Sequence, residues 1–291
     1  MFNTNLPTTE IIQQRFSCRV YNPEPIPADK RQQLQAFIAG LSPGPFGLKP
    51  RFDLLAATQE DSQSLRGLGT YGFIKNAPAF IVGAMTPADF WLEDFGYLME
   101  TIILYATSLA LGTCWLGGTF TKSRFAQKLH LAADEVMPAI TSVGEFAAPG
   151  QMRQGQISQI AGSHHRLPWE VLFFKDQLQT PISPEEAGDY AAVLDMVRLA
   201  PSASNKQPWR IIKHRDLWRF YLQRTPGYAK GVLNKLLDIS DLQRVDMGIA
   251  MCHFELTAHA LGLNGVWVIE DSIEKYPEEM PEYLVSWRSQ P

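Results

Sequence analysis

The stretches DFGYLMETIILYATSLALGTCW (Asp94–Trp115) and DMGIAMCHFELTAHALGLNGVW (Asp246–Trp267) read as two copies of one unit. Each opens on Asp-x-Gly and runs through a long apolar segment to a Leu-Gly pair, Leu111-Gly112 or Leu261-Gly262, followed by a tryptophan. The Asp-to-Trp interval is 21 residues in both. Length and content of Ala, Leu and Met predict a buried helix over Phe95–Leu111 and a second over Asp246–Leu261. Upstream, Pro43 and Pro50 bracket a loop as Pro201 and Pro208 do, seven residues apart in each case. Two such copies in one chain can pack against each other about a pseudo-two-fold axis, as the subunits of a homodimer would.

Outward from this repeat the pattern is mixed. Thr8-Thr9-Glu10 can cap a helix running through Ile11, Ile12 and Phe16, and Asp29–Ala39 reads as another helix. Strands are expected at Arg51–Ala57, Ala79–Gly83, Ile140–Phe146 and Val171–Phe174. The polar, proline-bearing stretch Asp176–Pro184 reads as a linker. Beyond it come a helix (Glu185–Leu199), a turn-rich segment (Pro201–Pro208) and strands at Trp209–Lys213 and Gly265–Ile269. The fold class is therefore α+β, with α/β mixed, and the expected division is residues 1–176 and 177–291.

Bulk properties exclude several classes of function. The chain has 291 residues, 45% of them apolar and 19% charged, which is ordinary globular composition. A net charge of −4 offers no general attraction to nucleic acid or to an anionic membrane, so an anion site must come from a local basic cluster. Three scattered cysteines, Cys18, Cys114 and Cys252, make neither a disulfide framework nor a zinc site, and a reducing cytoplasm is the expected compartment. The opening MFNTNLPTTE lacks the basic and apolar regions of a secretory signal, and Ile102–Leu111 is too short to span a bilayer.

Four motifs can carry chemistry. Arg15-Phe-Ser17-Cys-Arg19 places two guanidiniums and a hydroxyl at alternate positions, which can converge on a phosphate once the chain leaves helical geometry. In Ala200-Pro-Ser-Ala-Ser-Asn-Lys-Gln-Pro-Trp209, small residues and prolines let backbone approach a flat ligand, while Ser202 and Asn205 can present donors and acceptors to its edge. The paired glycines of Trp115-Leu-Gly-Gly-Thr119 permit positive φ; a plain turn and a ligand contact account for them equally well. His164-His-Arg-Leu-Pro168 is either a surface loop or the completion of an anion site, and no further ligands follow at zinc spacing. Gly67-Leu-Gly-Thr-Tyr-Gly72 matches G-x-G-x-x-G literally but lacks the strand before and helix after that a dinucleotide site needs.

Together the four motifs resemble the nitroreductase family of FMN-dependent oxidoreductases, over nearly the whole chain. The resemblance implies a nitroreductase-like sheet-and-helix fold with Arg15, Ser17, Arg19 and Arg166 on the FMN phosphate, joined by His164. It implies Pro201, Ser202, Ala203 and Asn205 against the flavin ring, with Asn205 near the pyrimidine edge, and Gly117 and Gly118 near N5. NAD(P)H is the implied reductant and a nitroaromatic or quinone the implied acceptor, with no side chain marked as an acid or base and no metal. The motifs are unequally divided. The second half has no counterpart of Arg15–Arg19 and carries Val-Ile-Glu where the first has Leu-Gly-Gly, while the first replaces the ring loop's Ser, Asn and Gln by Gly44, Gly47 and Lys49. One FMN site per chain follows, as in the fused single-chain subgroup called putative TM nitroreductases: a monomeric pseudo-dimer, though further association stays open. Two rival readings are another FMN enzyme with a narrow substrate and a non-enzymatic flavin-binding scaffold.

Overall fold

The computed structural model describes residues 4, 6–58, 65, 68–118, 120–147, 165–227, 240–270 and 281–290. Its centre is a crossing of two long helices, α3 (Trp91–Ser108) and α8 (Leu242–Ala260). A Cβ added at Gly96 would lie 2.2 Å from the Val245 carbonyl oxygen, and one at Gly248 would lie 2.0 Å from that of Glu93. Each glycine thus meets the backbone three residues ahead of the other, so the contact is two-fold about the crossing. Without side chains at this point the two backbones approach to direct contact, and the apolar faces on both sides of it close around one core.

That core is continuous through both halves. It takes in Phe95, Met99, Ile102 and Ile103 of α3, and Ile249, Met251, Phe254 and Ala258 of α8. Around the helix pair stand α2 (Ala28–Ala39) with β1 (Arg51–Ala56), β2 (Ala79–Ala84), β3 (Gly112–Leu116) and β4 (Ile140–Gly144) on one side. On the other stand α7 (Ala191–Arg198), β7 (Trp209–His214), β8 (Leu217–Leu222), β9 (Gly265–Val268) and β10 (Glu282–Ser289). The first sheet runs β1-β2-β4-β3, and the second contains β7-β8-β10-β9, the same order in the same sequence sense. All these pairings are antiparallel. The chain is a mixed helix-and-sheet fold of two related halves.

The helix ends match as well. Leu111 N bonds Ala106 O as Leu263 N bonds Ala258 O, and the left-handed residues before them are Ala110 (φ 56°) and Gly262 (φ 76°). Gly262 is therefore the counterpart of Ala110, not of Gly112, and the Leu-Gly pairs align two residues out of step. Gly112 instead opens β3, where a Cβ would strike the Cys18 side chain at 2.8 Å.

Other expectations shift for local reasons. The helix α1 covers Thr8–Gln14 and stops before Phe16, which packs edge-to-face on Phe146. The helix α3 begins at Trp91, and α8 at Leu242, where Asp241 caps it by accepting from Gln243 N and Arg244 N. The strand expected at Val171–Phe174 is instead a helical turn, α5 (Trp169–Leu172), followed by β5 (Phe173–Lys175). Pro168 presets that turn, and Trp169 Nε1 donates to Ile182 O at 2.6 Å. The expected linker is β6 (Gln177–Pro181), an exposed strand hairpinned to β5 through Asp176 at φ 60°. Its polar and proline content is that of a sheet edge rather than of a free connector. The 176/177 division thus falls in a hairpin turn, and β5 joins the second sheet by pairing parallel to β7. Between these strands and α7 lies α6 (Pro184–Ala187). The helix α4 (Lys122–Leu129) and the strands β8 and β10 were not predicted from sequence.

Substituting either crossing glycine forces backbone apart against a packed core. Gly96→Ala and Gly248→Ala should each lower unfolding free energy by about 2–4 kcal/mol. Chemical denaturation checks this, and unchanged stability in both variants would show that the helices do not meet here.

Candidate functional site

The helix α1 packs on α3, α7 and α8 through Ile11 and Ile12, and the chain leaves it at Arg15 in an extended conformation (φ −64°, ψ 128°). Ser17 then bridges Thr113 at the outer edge of β3, and Cys18 N bonds Thr113 O at 2.8 Å. In an extended segment alternate residues share a face. Arg15, Ser17 and Arg19 accordingly line one cleft of about 490 Å³, within the ~300–1,000 Å³ usual for small-molecule sites.

The same cleft is lined by Gly117, Gly118, Arg166, Pro201, Ser202, Ala203 and Asn205. Every site residue expected from sequence is therefore brought together except His164, which lies outside the described residues. Gly117 does not adopt the positive φ that sequence allows it. Gly117 owes its place to close approach, since a Cβ there would sit 2.4 Å from the Leu242 side chain. The 68–78 segment forms no helix, in keeping with the absence of a dinucleotide fingerprint, but its half-exposed Phe73 lines the cleft. Sequence reasoning also missed Cys114, Ala139, Leu242, Val245, Asp246 and Ile249. The interval between Asp94 and Asp246 was the signal for these last four, because it places one turn of α8 where α3 has its own loop-binding turn.

The loop 201–208 is under backbone strain. Ser204, Asn205 and Gln207 all take left-handed φ (51°, 55° and 48°), a conformation that costs non-glycine residues on the order of 1 kcal/mol or more each. Side-chain bonds hold it. Ser202 Oγ accepts from Gln207 N at 2.9 Å, Gln207 Nε2 donates to Asn205 O at 3.1 Å, and Asp246 Oδ1 accepts from Ala203 N at 2.9 Å. The Arg166–Pro168 segment docks on the same loop: Leu167 N donates to Gln207 Oε1 (2.9 Å), and Arg166 Nη1 to Asn205 Oδ1 (3.3 Å). Asn205 Nδ2 donates to His165 O at 2.7 Å. The Asn205 amide thus faces Arg166 and His165 rather than open cleft.

Charge is concentrated at one end. Arg166 is pushed down to about 10 by burial, and then by the neighbouring positive charges of Arg15 and Arg198. Burial also lowers Arg15, whose Nε has no hydrogen-bond partner among the described residues. Crowded, desolvated guanidiniums of this kind are stabilised by an anion. At the floor, Asp246 is 2% exposed, and Oδ2 has no partner among the described residues. Burial holds its carboxyl well above the usual range.

The matching positions of the related half carry different side chains. Asp94 accepts from both Phe46 N (3.0 Å) and Leu48 N (2.8 Å) of its own loop. Where the cleft has Leu242, Val245 and Ile249, α3 and its N-cap carry Phe90, Glu93 and Tyr97, each 152 residues earlier. Phe90 stacks on Phe46 at 4.3 Å, Arg244 binds Glu93 at 2.7 Å, and where the cleft has glycines Glu270 pairs with Arg219 at 2.7 Å. Among the described residues no group of His, Cys, Asp and Glu could hold a metal ion, and no helix is long and apolar enough to cross a membrane.

The sequence profile of the family described as "Putative TM nitroreductase" matches residues 7–258. A solved structure, a "putative nitroreductase" from Thermotoga maritima MSB8, is similar at 18% identity and TM-score 0.62 over 100% of this chain and 97% of that one. Half-length matches include a nitroreductase with bound FMN from Bacteroides fragilis NCTC 9343 (21% identity, 50% of this chain, 92% of that one, TM-score 0.39). Another is an FMN-dependent nitroreductase from Clostridium difficile R20291 (23%, 54%, 98%, 0.40). No curated protein matches the chain.

Asp246 gives the site a pH signature. Its carboxyl is raised in the fold, so above the unfolded value of 3.8 the unfolded chain releases a proton that the folded one retains. Relative to Asp246→Asn, which keeps the Oδ1 acceptor, the native protein should lose stability as pH rises above 3.8, by up to about 1.4 kcal/mol per unit. Denaturation of both proteins across pH 4–7 tests this; parallel curves would mean that Asp246 ionises normally.

Proposed function

The chain belongs to the TM nitroreductase family and is an oxidoreductase by that membership, and from this premise we propose that it is an FMN-dependent enzyme with one flavin site per chain. The observation that carries the proposal is the joining of a three-arginine end, Arg15, Arg19 and Arg166, to an uncharged polar loop, Pro201–Asn205, in a single cleft. A phosphate at the arginine end would relieve the repulsion between Arg15 and Arg166 and engage the Arg15 guanidinium, whose Nε makes no hydrogen bond among the described residues. The rest of the cleft suits a flat heterocycle: Gly117, Gly118 and the small residues of the loop leave room for a ring, and Leu242, Val245 and Ile249 give an apolar floor.

Bound FMN would supply two-electron chemistry, taking hydride from NAD(P)H and passing it to an electron-poor acceptor such as a nitroaromatic or a quinone. The protein's contribution is to bind and orient. Arg15, Arg19, Ser17 and Arg166 hold the phosphate, with His164 as a further candidate. Asn205 holds Arg166 and His165 O, and so ties the phosphate end to the ring loop. Phe73 at the mouth offers an aromatic face to a planar substrate. The proposal takes the chain as an intramolecular pseudo-dimer, residues 1–176 contributing the phosphate grip and 177–291 the ring loop. The filled counterpart behind Phe46, Phe90 and Tyr97 supports a single site rather than two.

Purified protein should carry one FMN per chain, measured as visible flavin absorbance against protein concentration. Two would refute the single-site reading, and a colourless protein that takes up no FMN would refute flavin binding. Arg15→Ala/Arg19→Ala should weaken FMN binding by several kcal/mol in titration, since charge-assisted bonds contribute roughly 1.5–3 kcal/mol each. Undiminished retention would remove the phosphate assignment.

A further inference from the structure

Behind Arg15 lies a buried polar contact between the two long helices. Glu100 of α3 and His253 of α8 are both fully buried, and His253 Nε2 lies 3.0 Å from Glu100 Oε1. The other ring nitrogen, Nδ1, lies 2.9 Å from Met196 O. A carbonyl only accepts, so Nδ1 carries a proton. Two lone pairs do not face each other at hydrogen-bond distance, so a proton also lies between Nε2 and Oε1. Whether it belongs to an imidazolium beside a carboxylate or to a carboxylic acid beside a neutral ring, the pair is net neutral. Glu100 Oε2 accepts from Trp115 Nε1 at 2.7 Å, and Arg15 Nε lies 3.8 Å from Oε1.

The pseudo-two-fold axis supplies a built-in comparison. Residues 152 positions apart exchange places across it, so the counterpart of Glu100–His253 is Cys252–Thr101. Those two also touch, Thr101 Oγ1 to Cys252 Sγ at 3.4 Å. One geometry thus occurs twice at the helix crossing. One copy is an ionisable pair whose Glu100 reaches Trp115 and Arg15, and the other is a small neutral pair packed beneath α1. Cys and Thr satisfy the same crossing geometry, so the helices do not need an ionisable pair in order to meet.

We propose that His253 is a positioning residue that cancels the charge of Glu100, so that Arg15 keeps its full positive charge for a ligand phosphate while Glu100 fixes Trp115 in the cleft wall. Without His253, Glu100 is a buried carboxylate whose nearest cation is Arg15, and the guanidinium turns to it and away from the ligand. The repulsion that Arg166 feels from Arg15 agrees with an Arg15 charge that reaches the cleft. The inference rests on the flavin reading in naming FMN as the phosphate ligand, but its electrostatic core applies to any phosphate bound there.

The experiment is a binding comparison of FMN with riboflavin, which lacks the phosphate, by quenching of flavin fluorescence. His253→Gln should weaken FMN by on the order of tenfold or more, the loss of a charge-assisted contact, and leave riboflavin within about threefold. Glu100→Gln/His253→Gln, which is net neutral again as the Cys252–Thr101 pair is, should restore the FMN preference. A His253→Gln protein that keeps native affinity for both ligands, or loses both equally, would overturn the proposal, as would a double variant no better than the single. Thr101→Val, a near-isosteric change in the counterpart pair, should leave the FMN-to-riboflavin ratio unchanged, and a shift equal to that of His253→Gln would reduce the effect to helix packing. If the native protein binds neither flavin, the flavin reading fails by itself. The charge argument is then read with inorganic phosphate, which should raise the melting temperature of the native protein and not of His253→Gln; equal shifts in both would overturn it.

Discussion

The contact of Gly96 with Val245 and of Gly248 with Glu93 brings two helix backbones together with nothing between them. Side-chain packing tolerates small rotations and repacking, whereas backbone against backbone admits one crossing point and little else. The loops take their places from it. Asp94 and Asp246 each stand two residues before a crossing glycine and hold the loop of their own half. The turn of helix that makes the crossing therefore also sets the distance from the helix pair to both loops. Arg15 depends on it too, since α1 rests on α3 and α8 together.

On this symmetric frame the two long helices carry different side chains at matching positions. On α8, Leu242, Val245 and Ile249 leave a floor; on α3 and its N-cap, Phe90, Glu93 and Tyr97 fill the matching space. The Asp-held loops follow the same rule. Asp94 binds two amides of a loop whose turn is made by Gly47 (φ 85°), whereas Asp246 binds one amide of a loop that forces three non-glycine residues into left-handed φ. Strain and an unsatisfied carboxylate oxygen occur together at the loop that lines the cleft.

Much of this was legible in sequence because the signals were positional. The equal Asp-to-Trp intervals disclosed the two halves, and Arg15, Ser17 and Arg19 fell on one face because alternation in an extended chain needs no tertiary information. The Leu-Gly pairs misled, since a left-handed helix end accepts Ala110 in one copy and Gly262 in the other, so residue identity does not mark the same position. The strand β6 was hidden because an edge strand and a linker share polar and proline-bearing composition. The partners that tie the site together were hidden for a different reason. Gln207 to Leu167, Asn205 to Arg166 and His253 to Glu100 are each separated by 39 to 153 residues, and no local pattern announces them.

Net charge says least about the site. A chain of charge −4 repels anions at long range, but water and salt screen that repulsion beyond roughly 8–10 Å. Inside the cleft the local balance governs. Arg15, Arg19 and Arg166 converge there, and Glu100, the carboxylate nearest Arg15, lies 3.0 Å from His253 Nε2. Burial raises the strength of each uncancelled charge by removing the solvent that would shield it. An acidic protein can thus carry an anion-attracting cavity at no expense to its overall surface potential, provided that buried negative charge near the arginines is neutralised from the opposite helix. That requirement binds the electrostatics of the cleft to the helix crossing itself, because Glu100 and His253 lie one helical turn beyond the glycines that bring α3 and α8 into contact.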